Sequence, residues 1–549
     1  MRSNSLKMII SVLLCATLFL SGCGGTGKPK ADPGKELTVN LGSIVISADP
    51  QLVADMTSLN VCMTMAGTLY KYDRNDNLVP CLAESYEVSD DGLVWTYHLR
   101  DGAGWSNGEE VTAGDFVFAF QRLVDPETGS QNVIFLTDYC RVRNAREISS
   151  GEMDVSSLGV RAEDPKTLVV ELEEPCPYLN ALFTNVGFAP CNREFFYSCN
   201  GDYATSPDTM LSSGPFKVDS YEPMCAQIHF SKNEYYVDSD DIKLQGVTMY
   251  TLGNSQQSMM CFEKGEMDVF TIGGELLEKY KDDPRIVNSD GLMTVFLVCS
   301  NKEGPFKNIK IRRAISKSVD RDNIVKNVFR TGYKSNNRLL FPGFYDNSDG
   351  SDFGEKNAEW YDSMCGYDPD EAVKLWEEGL KEEGISSLNL EIGVTANSSL
   401  LIEALKSQIE SNLPGISINA RILTSKQWIQ DLQSPKQDLM YSAWAADYVD
   451  PSAYLNYFVK GDDRDPNVYY SETFIDLCRK AGSAEACEDP AMREELLQNA
   501  EKQLVEDMAF IPLFSGGISY AISDKVSGLY VDPLARGLIY EGTEKETDQ

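Results

Sequence analysis

The amino-acid sequence predicts a mixed α/β fold, because strand-like and helix-like apolar periodicities alternate along the chain. Residues 94–100 alternate as a half-buried strand, with Trp95, Tyr97 and Leu99 facing one way. Residues 388–422 read as a strand, a helix and a second strand. This order predicts a parallel strand pair with a right-handed crossover. Ligand crevices in such sheets lie beyond the carboxyl ends of the strands.

Local signals justify each of these elements in turn. Residues 37–41 begin the fold as a strand, and Thr112 with Asp115 resembles a capping box that opens a helix. In the β-α-β unit, Ser398 or Ser399 caps the helix and Pro414-Gly415 ends it. The apolar positions of that unit are Leu388, Leu390, Ile392 and Val394, then Leu401, Leu405 and Ile409, then Ile416, Ile418, Ala420 and Ile422.

The first residues read as a targeting segment. Arg2 and Lys7 precede the uncharged apolar run Met8–Leu20, which is short for a membrane span. The run ends in Leu20-Ser21-Gly22-Cys23, which resembles the lipobox of bacterial lipoproteins. That resemblance implies a signal peptide at residues 1–22 and lipid attachment at Cys23. Residues 23–36, rich in Gly, Pro and Lys, read as a flexible tether.

Composition excludes several classes of function. The 549-residue chain has a formal net charge of −35, which argues against nucleic-acid binding because that requires clustered cations. Only two histidines are present and no C-x-x-C occurs, so we expect neither a metal site nor a cofactor. The fourteen cysteines include Cys15 and Cys23, and we expect the other twelve to be mostly buried free thiols.

Four motifs resemble one family in sequence and in order. They are residues 82–122 (LAESYEVSDDGLVWTYHLRDGAGWSNGEEVTAGDFVFAFQR), 264–268 (KGEMD), 305–328 (PFKNIKIRRAISKSVDRDNIVKNV) and 443–456 (AWAADYVDPSAYLN). Together with Asp49-Pro50 and Ser213–Phe216, they resemble the oligopeptide- and dipeptide-binding receptors of bacterial ABC importers, solute-binding protein family 5. The resemblance covers nearly the whole chain after the leader.

The resemblance implies a two-lobed fold like that of periplasmic binding proteins, of the cluster C type, with an inserted domain and a ligand cleft between the lobes. It implies that residues 37–66, 191–297 and 515–549 form the first lobe (domain I). Residues 67–190 would form the inserted domain (domain II), and residues 298–514 the second lobe (domain III).

The same resemblance proposes the ligand-binding residues. In the family an aspartate at the position of Asp447 takes the α-ammonium of a peptide, and such charge-assisted bonds are strong in a closed cleft. Ala443 and Ala445 would offer backbone groups to an extended peptide. Trp444 and Tyr448 would wall the cleft.

The remaining positions of interest include one further predicted contact, several departures from the family pattern and one residue read as structural. Met56 aligns with a backbone contact on the opposite lobe, and Phe135 aligns where some relatives place a cleft tyrosine. Tyr441 stands where relatives have an arginine that helps bind the peptide carboxylate, and Arg330 is near, but not aligned with, a second cation. Asp450, followed by Pro451, reads as a helix N-cap with proline at the first helical position.

These observations predict a monomeric, lipid-anchored binding protein on the outer face of the cell membrane. It would capture short peptides and deliver them to a membrane permease served by an ATPase, and it would not be an enzyme. His98 and His229 lie in predicted strands, so neither is assigned as a catalytic base. Two alternatives stay open: a receptor of the same fold for a metal chelate, haem, oligosaccharide or opine, and a ligand-sensing lipoprotein.

Overall fold

The computed structural model describes residues 35–75, 77–288, 293–300, 304–329, 333–395, 398–433, 436–459, 469–531 and 537–546. The predicted signal peptide, Cys23, most of the tether and Arg330 lie outside these residues. In the described ranges no helix combines the length and the apolar run that a membrane span requires.

The strands of these ranges are numbered in chain order. They are β1 (Glu36–Asn40), β2 (Tyr70–Tyr72), β3 (Leu78–Pro80), β4 (Ala83–Val88), β5 (Val94–Leu99), β6 (Val160–Asp164), β7 (Thr167–Glu171), β8 (Phe216–Ser220), β9 (Gln227–Lys232), β10 (Gly246–Tyr250), β11 (Val269–Ile272), β12 (Ile286–Asn288), β13 (Met293–Cys299), β14 (Lys334–Ser335), β15 (Leu388–Thr395), β16 (Ile416–Leu423), β17 (Leu439–Ala445), β18 (Phe510–Gly516), β19 (Ser519–Ile522), β20 (Val526–Ser527), β21 (Tyr530–Val531), β22 (Leu538–Ile539) and β23 (Glu544–Lys545).

The α-helices of the described ranges connect and cover these strands. They span Met56–Met65, Ala113–Val124, Ala145–Ser149, Leu179–Leu182, Arg193–Ser198, Ser255–Glu263, Gly274–Tyr280, Ile309–Lys317, Arg321–Asn323, Ala358–Cys365, Pro369–Glu383, Ser399–Asn412, Ser425–Gln433, Ser452–Leu455, Glu472–Ala481, Ala484–Glu488 and Pro490–Glu506.

Two large sheets form the cores of the two lobes. The first has the strand order β12-β19-β11-β1-β10-β9-β8, and the second has the order β14-β18-β13-β17-β15-β16. A separate four-stranded antiparallel sheet, β4-β5-β7-β6, belongs to the segment predicted as the inserted domain. The chain therefore has the two-lobed α/β architecture with an additional domain that the sequence predicts.

Strand pairing shows where the chain changes lobes. β12 pairs in the first sheet and β13 in the second, so the chain crosses between residues 288 and 293. It returns between β18, in the second sheet, and β19, in the first. The boundaries predicted after residues 297 and 514 fall inside β13 and β18, because motif spacing does not reveal which sheet a strand joins.

The local predictions agree closely with the structure. Trp95, Tyr97 and Leu99 are buried on β5, and Thr112 forms the capping box with Asp115. β15 and β16 pair in parallel across the helix Ser399–Asn412. The C-terminal half of β16 does not show the predicted burial, because Ile422 is 66% exposed at the edge of the sheet.

Most of the family-like motifs have structural roles. Asp49 forms a buried ion pair with Arg122, which joins the first lobe to the inserted domain. Asp268 accepts hydrogen bonds from Thr38 in β1 and from Lys545 in β23. Arg321 donates to the main-chain oxygens of residues 316, 319 and 512, and its burial lowers its pKa to about 10.

The twelve cysteines of the described residues are free thiols, and eight of them are buried. Burial raises the pKa of thiols such as Cys299, to about 12, which makes these thiols less reactive.

Candidate ligand-binding site

The candidate site forms where β17 separates from its parallel neighbour. β17 pairs with β13 along its whole length, from the pair Cys299–Leu439 to the pair Met293–Ala445. On its other side the ladder to β15 contains only Ile392–Leu439 and Gly393–Met440. Among the described residues, the stretch 441–445 therefore has one edge without a strand partner. An open edge at the carboxyl ends of parallel strands is suited to binding an extended chain.

Asp447 lies two residues after the end of β17 and is half-buried. The hydroxyl of Tyr139, in the inserted domain, donates to Oδ2 of Asp447 over 3.2 Å. Burial raises the pKa of Asp447 to about 6, and the Tyr139 hydrogen bond partly offsets this rise. No cationic side chain of the described residues contacts the carboxylate. The site thus holds an acidic group that lacks a counter-ion, a property that suits it to a ligand cation.

An aromatic cluster holds the inserted domain against the second lobe beside Asp447. The ring of Tyr448 stacks on that of Tyr178, with centroids 4.5 Å apart and planes at 10°. The ring of Tyr139 meets that of Tyr448 edge-on at 5.9 Å. The Tyr178 hydroxyl donates to the main-chain oxygen of Tyr139 at 2.9 Å. Tyr448 is therefore 1% exposed and packs in this contact instead of presenting a free cleft wall.

Trp444 is half-buried and has a fixed orientation. Its indole Nε1 donates to the main-chain oxygen of Ala453 at 3.0 Å, and its ring meets Tyr457 edge-on at 5.2 Å. Trp444 lines a cavity of about 450 Å³ together with Tyr139 and Tyr178. Both the inserted domain and the second lobe contribute to this cavity, whose volume is in the range of small-ligand sites.

Ala443 and Ala445 lie on the β17 stretch with the open edge. Ala443 pairs with Val295 and is half-buried, whereas Ala445 pairs with Met293 and is exposed. The small side chains leave space for another backbone to approach.

Tyr441 begins the same stretch and is also half-buried. Its main-chain oxygen accepts a hydrogen bond from Trp428 Nε1 at 2.8 Å. Burial raises the pKa of its phenol, and a hydrogen bond with Ser398 opposes this rise. The residue is therefore a neutral hydroxyl at the position where the family resemblance implies a cation.

Met56 and Phe135 are not brought to Asp447 by any described contact. Met56 is the first residue of the helix Met56–Met65 and is 45% exposed. Phe135 is buried and packs against Phe188 and Tyr139. The hydroxyl that bonds Asp447 comes instead from Tyr139, which the sequence analysis did not single out. Its spacing of four residues from Phe135, one helical turn, was the available signal.

Asp450 is structural, as predicted, but it is not the helix N-cap, because Pro451 occupies that position. Its carboxylate accepts from the main-chain nitrogen of Ser452 at 2.9 Å and forms a buried bidentate pair with Arg493, both bonds being 2.8 Å long. The helix begins at Ser452, so Pro451 precedes the helix and does not occupy its first position.

The two histidines lie in strands, as predicted. His98 is on β5 and His229 on β9, where it lies between Asp219 and Glu36. Within the described ranges no group of three or more His, Cys, Asp or Glu side chains could hold a metal ion.

The chain resembles known proteins along nearly its full length. Residues 77–466 match the family described as bacterial extracellular solute-binding proteins, family 5. A dipeptide-binding protein of Lactococcus lactis subsp. cremoris is 27% identical over 566 residues, which cover 98% of this chain and 99% of that protein.

Solved structures give the same result. The substrate-binding domain of an oligopeptide ABC transporter from Bacillus anthracis is 28% identical, with a TM-score of 0.75, and the match covers 94% of this chain and all of that one. Listeria monocytogenes OppA bound to peptide is 26% identical, with a TM-score of 0.73 and the same coverage.

Proposed function

Because this chain belongs to the bacterial extracellular solute-binding proteins of family 5, we propose that it captures short peptides between its lobes and delivers them to an ABC permease. The observation that carries the proposal is Asp447, a half-buried carboxylate at the open end of β17 that has, among the described residues, one tyrosine donor and no cationic partner. The α-ammonium of a peptide supplies the missing charge.

The remaining contacts follow from the orientation that this ammonium fixes. The peptide extends along the open edge of β17, where the main chains of Ala443 and Ala445 pair with it. Trp444 borders a cavity that can hold a side chain. In this assignment Tyr448 supports the site through its stack on Tyr178. Met56 offers a main-chain contact to the peptide from the opposite lobe. Phe135 supports Tyr139 through their ring contact.

The C-terminal end of the peptide would meet a neutral side chain, that of Tyr441. Tyr441 offers a hydroxyl and not a guanidinium, so it can hydrogen-bond a carboxylate or an amide but cannot neutralise a charge. We therefore expect weak discrimination between peptides with a free carboxylate and peptides with an amidated C-terminus.

We also propose that the protein is a monomer held at the outer face of the cell membrane by lipid on Cys23. The leader and the Leu20–Cys23 motif support this assignment. Two acyl chains hold a soluble domain at a membrane more firmly than one. Metabolic labelling with palmitate should mark the wild-type chain in cells, and Cys23→Ala should abolish the label.

Native mass spectrometry of residues 24–549 tests the proposed ligand class. Protein purified without refolding should carry masses that resolve into short peptides. Titration calorimetry with a defined pool of tripeptides should then give binding that Asp447→Ala weakens by about 2–5 kcal/mol. A protein that carries no peptide and ignores the pool would refute peptide capture, and unchanged affinity in Asp447→Ala would remove this residue from the site.

A further inference from the structure

We propose that Tyr139 is a positioning residue of the ammonium site: it orients the Asp447 carboxylate and couples ligand binding to the contact between the inserted domain and the second lobe. The proposal rests on the function proposed above and assigns a role to a residue outside the family-like motifs. Its basis is the hydrogen bond from the Tyr139 hydroxyl to Asp447 Oδ2, which joins side chains 308 positions apart.

Two main-chain hydrogen bonds and two ring contacts fix the position of Tyr139. Residues Phe135–Tyr139 form a π-helical turn, which the Cys140 main-chain nitrogen closes by donating to the Phe135 oxygen at 3.0 Å. The main-chain oxygen of Tyr139 accepts from the Tyr178 hydroxyl. Its ring lies between those of Phe135 and Tyr448, at 5.6 and 5.9 Å. The hydroxyl is therefore directed at Asp447 by packing and not only by the hydrogen bond itself.

The hydrogen bond leaves room for a ligand. An ionised carboxylate has about four acceptor positions, and Tyr139 uses one of them on Oδ2. A tyrosine hydroxyl that donates to the carboxylate can still accept from an ammonium group. Tyr139 and a peptide N-terminus can thus share Asp447, and the tyrosine does not compete with the ligand.

The titratable groups around Asp447 give Tyr139 a second effect. Tyr448 and Tyr454 are the other phenols near the carboxylate and its partner, Asp138 adjoins Tyr139, and the Asp450–Arg493 pair lies behind Tyr448. Burial raises the pKa of Asp447, and Tyr139 is the neighbour whose hydrogen bond lowers it. Burial raises the pKa of Tyr139, and the Asp447 charge raises it further, so the phenol stays protonated and able to donate.

Tyr139 and Asp447 belong to different domains, so the hydrogen bond between them depends on closure of the domains. The hydrogen bond and the Tyr178–Tyr448 stack form only when the inserted domain lies against the second lobe. In an arrangement that separates these rings, Asp447 loses its donor.

The test is titration calorimetry of Tyr139→Phe between pH 5 and pH 8, with two probes. One probe is an equimolar pool of synthetic tripeptides, and the other is the same pool with N-acetylated termini. Because the pKa of Asp447 is about 6, we expect wild-type affinity for the free pool to fall about fivefold between pH 6 and pH 5, and about tenfold between pH 8 and pH 5. In Tyr139→Phe the fall should begin at higher pH, so that its affinity near pH 6 is at least about fivefold below wild type while the two differ little at pH 8.

Tyr97→Phe is the matched control. Its hydroxyl is also buried in the inserted domain, where it bonds Asn180 at 2.8 Å and not Asp447, so its pH profile should superimpose on that of wild type. A Tyr139→Phe profile parallel to wild type at all pH values would reduce Tyr139 to a packing role and overturn the inference.

Asp447→Asn separates this failure from failure of the proposed function. If the variant loses the preference for free over acetylated peptides, Asp447 is the ammonium site whatever Tyr139 does. If it keeps that preference, Asp447 is not the ammonium site and the role of Tyr139 fails with it, although peptide capture stands. If wild type binds neither pool, the proposed function itself fails.

Discussion

At the scale of single residues, Asp447 combines a binding role with a cost to stability. Its pKa is raised from 3.8 to about 6, so the folded protein holds this proton more tightly than the unfolded chain does. The stabilising contribution is complete below about pH 4 and is lost as the pH rises through about 6. At neutral pH the empty site therefore carries a destabilising charge.

Replacing this charge should stabilise the protein without ligand. We expect Asp447→Asn to raise the free energy of unfolding at pH 8 by about 1–3 kcal/mol, because the amide keeps an acceptor for Tyr139 but carries no charge. Thermal unfolding of the unliganded proteins at pH 8 and pH 4.5 measures this gain. The gain should shrink at pH 4.5, where the wild-type carboxyl is protonated, and an equal gain at both values would contradict the explanation.

Asp450, three residues after Asp447, is also a buried carboxylate, but its charge is neutralised by Arg493 and so stabilises the fold. Both side chains are buried and joined by two hydrogen bonds of 2.8 Å. Arg493→Met should lower the free energy of unfolding by about 3–5 kcal/mol, because it leaves a buried carboxylate without a partner. Denaturant unfolding is the measurement. Arg479→Met, which breaks an exposed pair with Asp476, serves as control and should change stability by less than about 1 kcal/mol.

At the scale of secondary-structure elements, charged side chains connect strands of the first sheet. His229 on β9 lies with Nδ1 3.3 Å from Asp219 on β8 and Nε2 3.3 Å from Glu36 on β1. Both carboxylates raise the pKa of this imidazole, the hydrogen bond to Asp219 being the larger cause. The ion pairs therefore add stability below about pH 6.5, and this contribution is lost as the pH rises through the raised pKa.

His229→Gln should test this contribution. We expect it to lower the free energy of unfolding by about 1 kcal/mol near pH 6 and by less at pH 9, where wild-type histidine is neutral. Urea unfolding at the two pH values gives both numbers. A loss of the same size at pH 9 would assign the effect to packing. His98→Gln is a suitable comparison, since His98 lies 3.9 Å from an exposed Glu87.

The elements also explain which parts of the molecule could be predicted from sequence. The capping box of Thr112 and Asp115, the β5 alternation and the β15–β16 crossover depend on neighbours within about thirty residues, and all three are present. The Tyr139–Asp447 hydrogen bond joins positions 308 apart, and periodicity carries no signal at that separation. The domain boundaries predicted at residues 297 and 514 lie inside β13 and β18, because the residues of a strand do not identify the sheet that it joins.

At the scale of the whole molecule, the predicted motion is closure of the lobes on a ligand. The chain crosses between the sheets from β12 to β13 and returns from β18 to β19, and the short return connection at residues 516–519 is a natural hinge position. Small-angle scattering of wild type should show a smaller radius of gyration with the saturating tripeptide pool than without it. Asp447→Ala at the same peptide concentration should stay at the larger value, and an unchanged radius in wild type would rule out hinge closure.

The position of β18 and β19 has a consequence for how the chain folds as it is made. These consecutive strands, from the last tenth of the sequence, insert between β14 and β13 in one sheet and between β12 and β11 in the other. Neither lobe can complete its sheet before the ribosome has nearly finished, and pairings across so many residues form slowly. Removing the C-terminal forty residues of the chain would leave two incomplete sheets instead of one intact lobe.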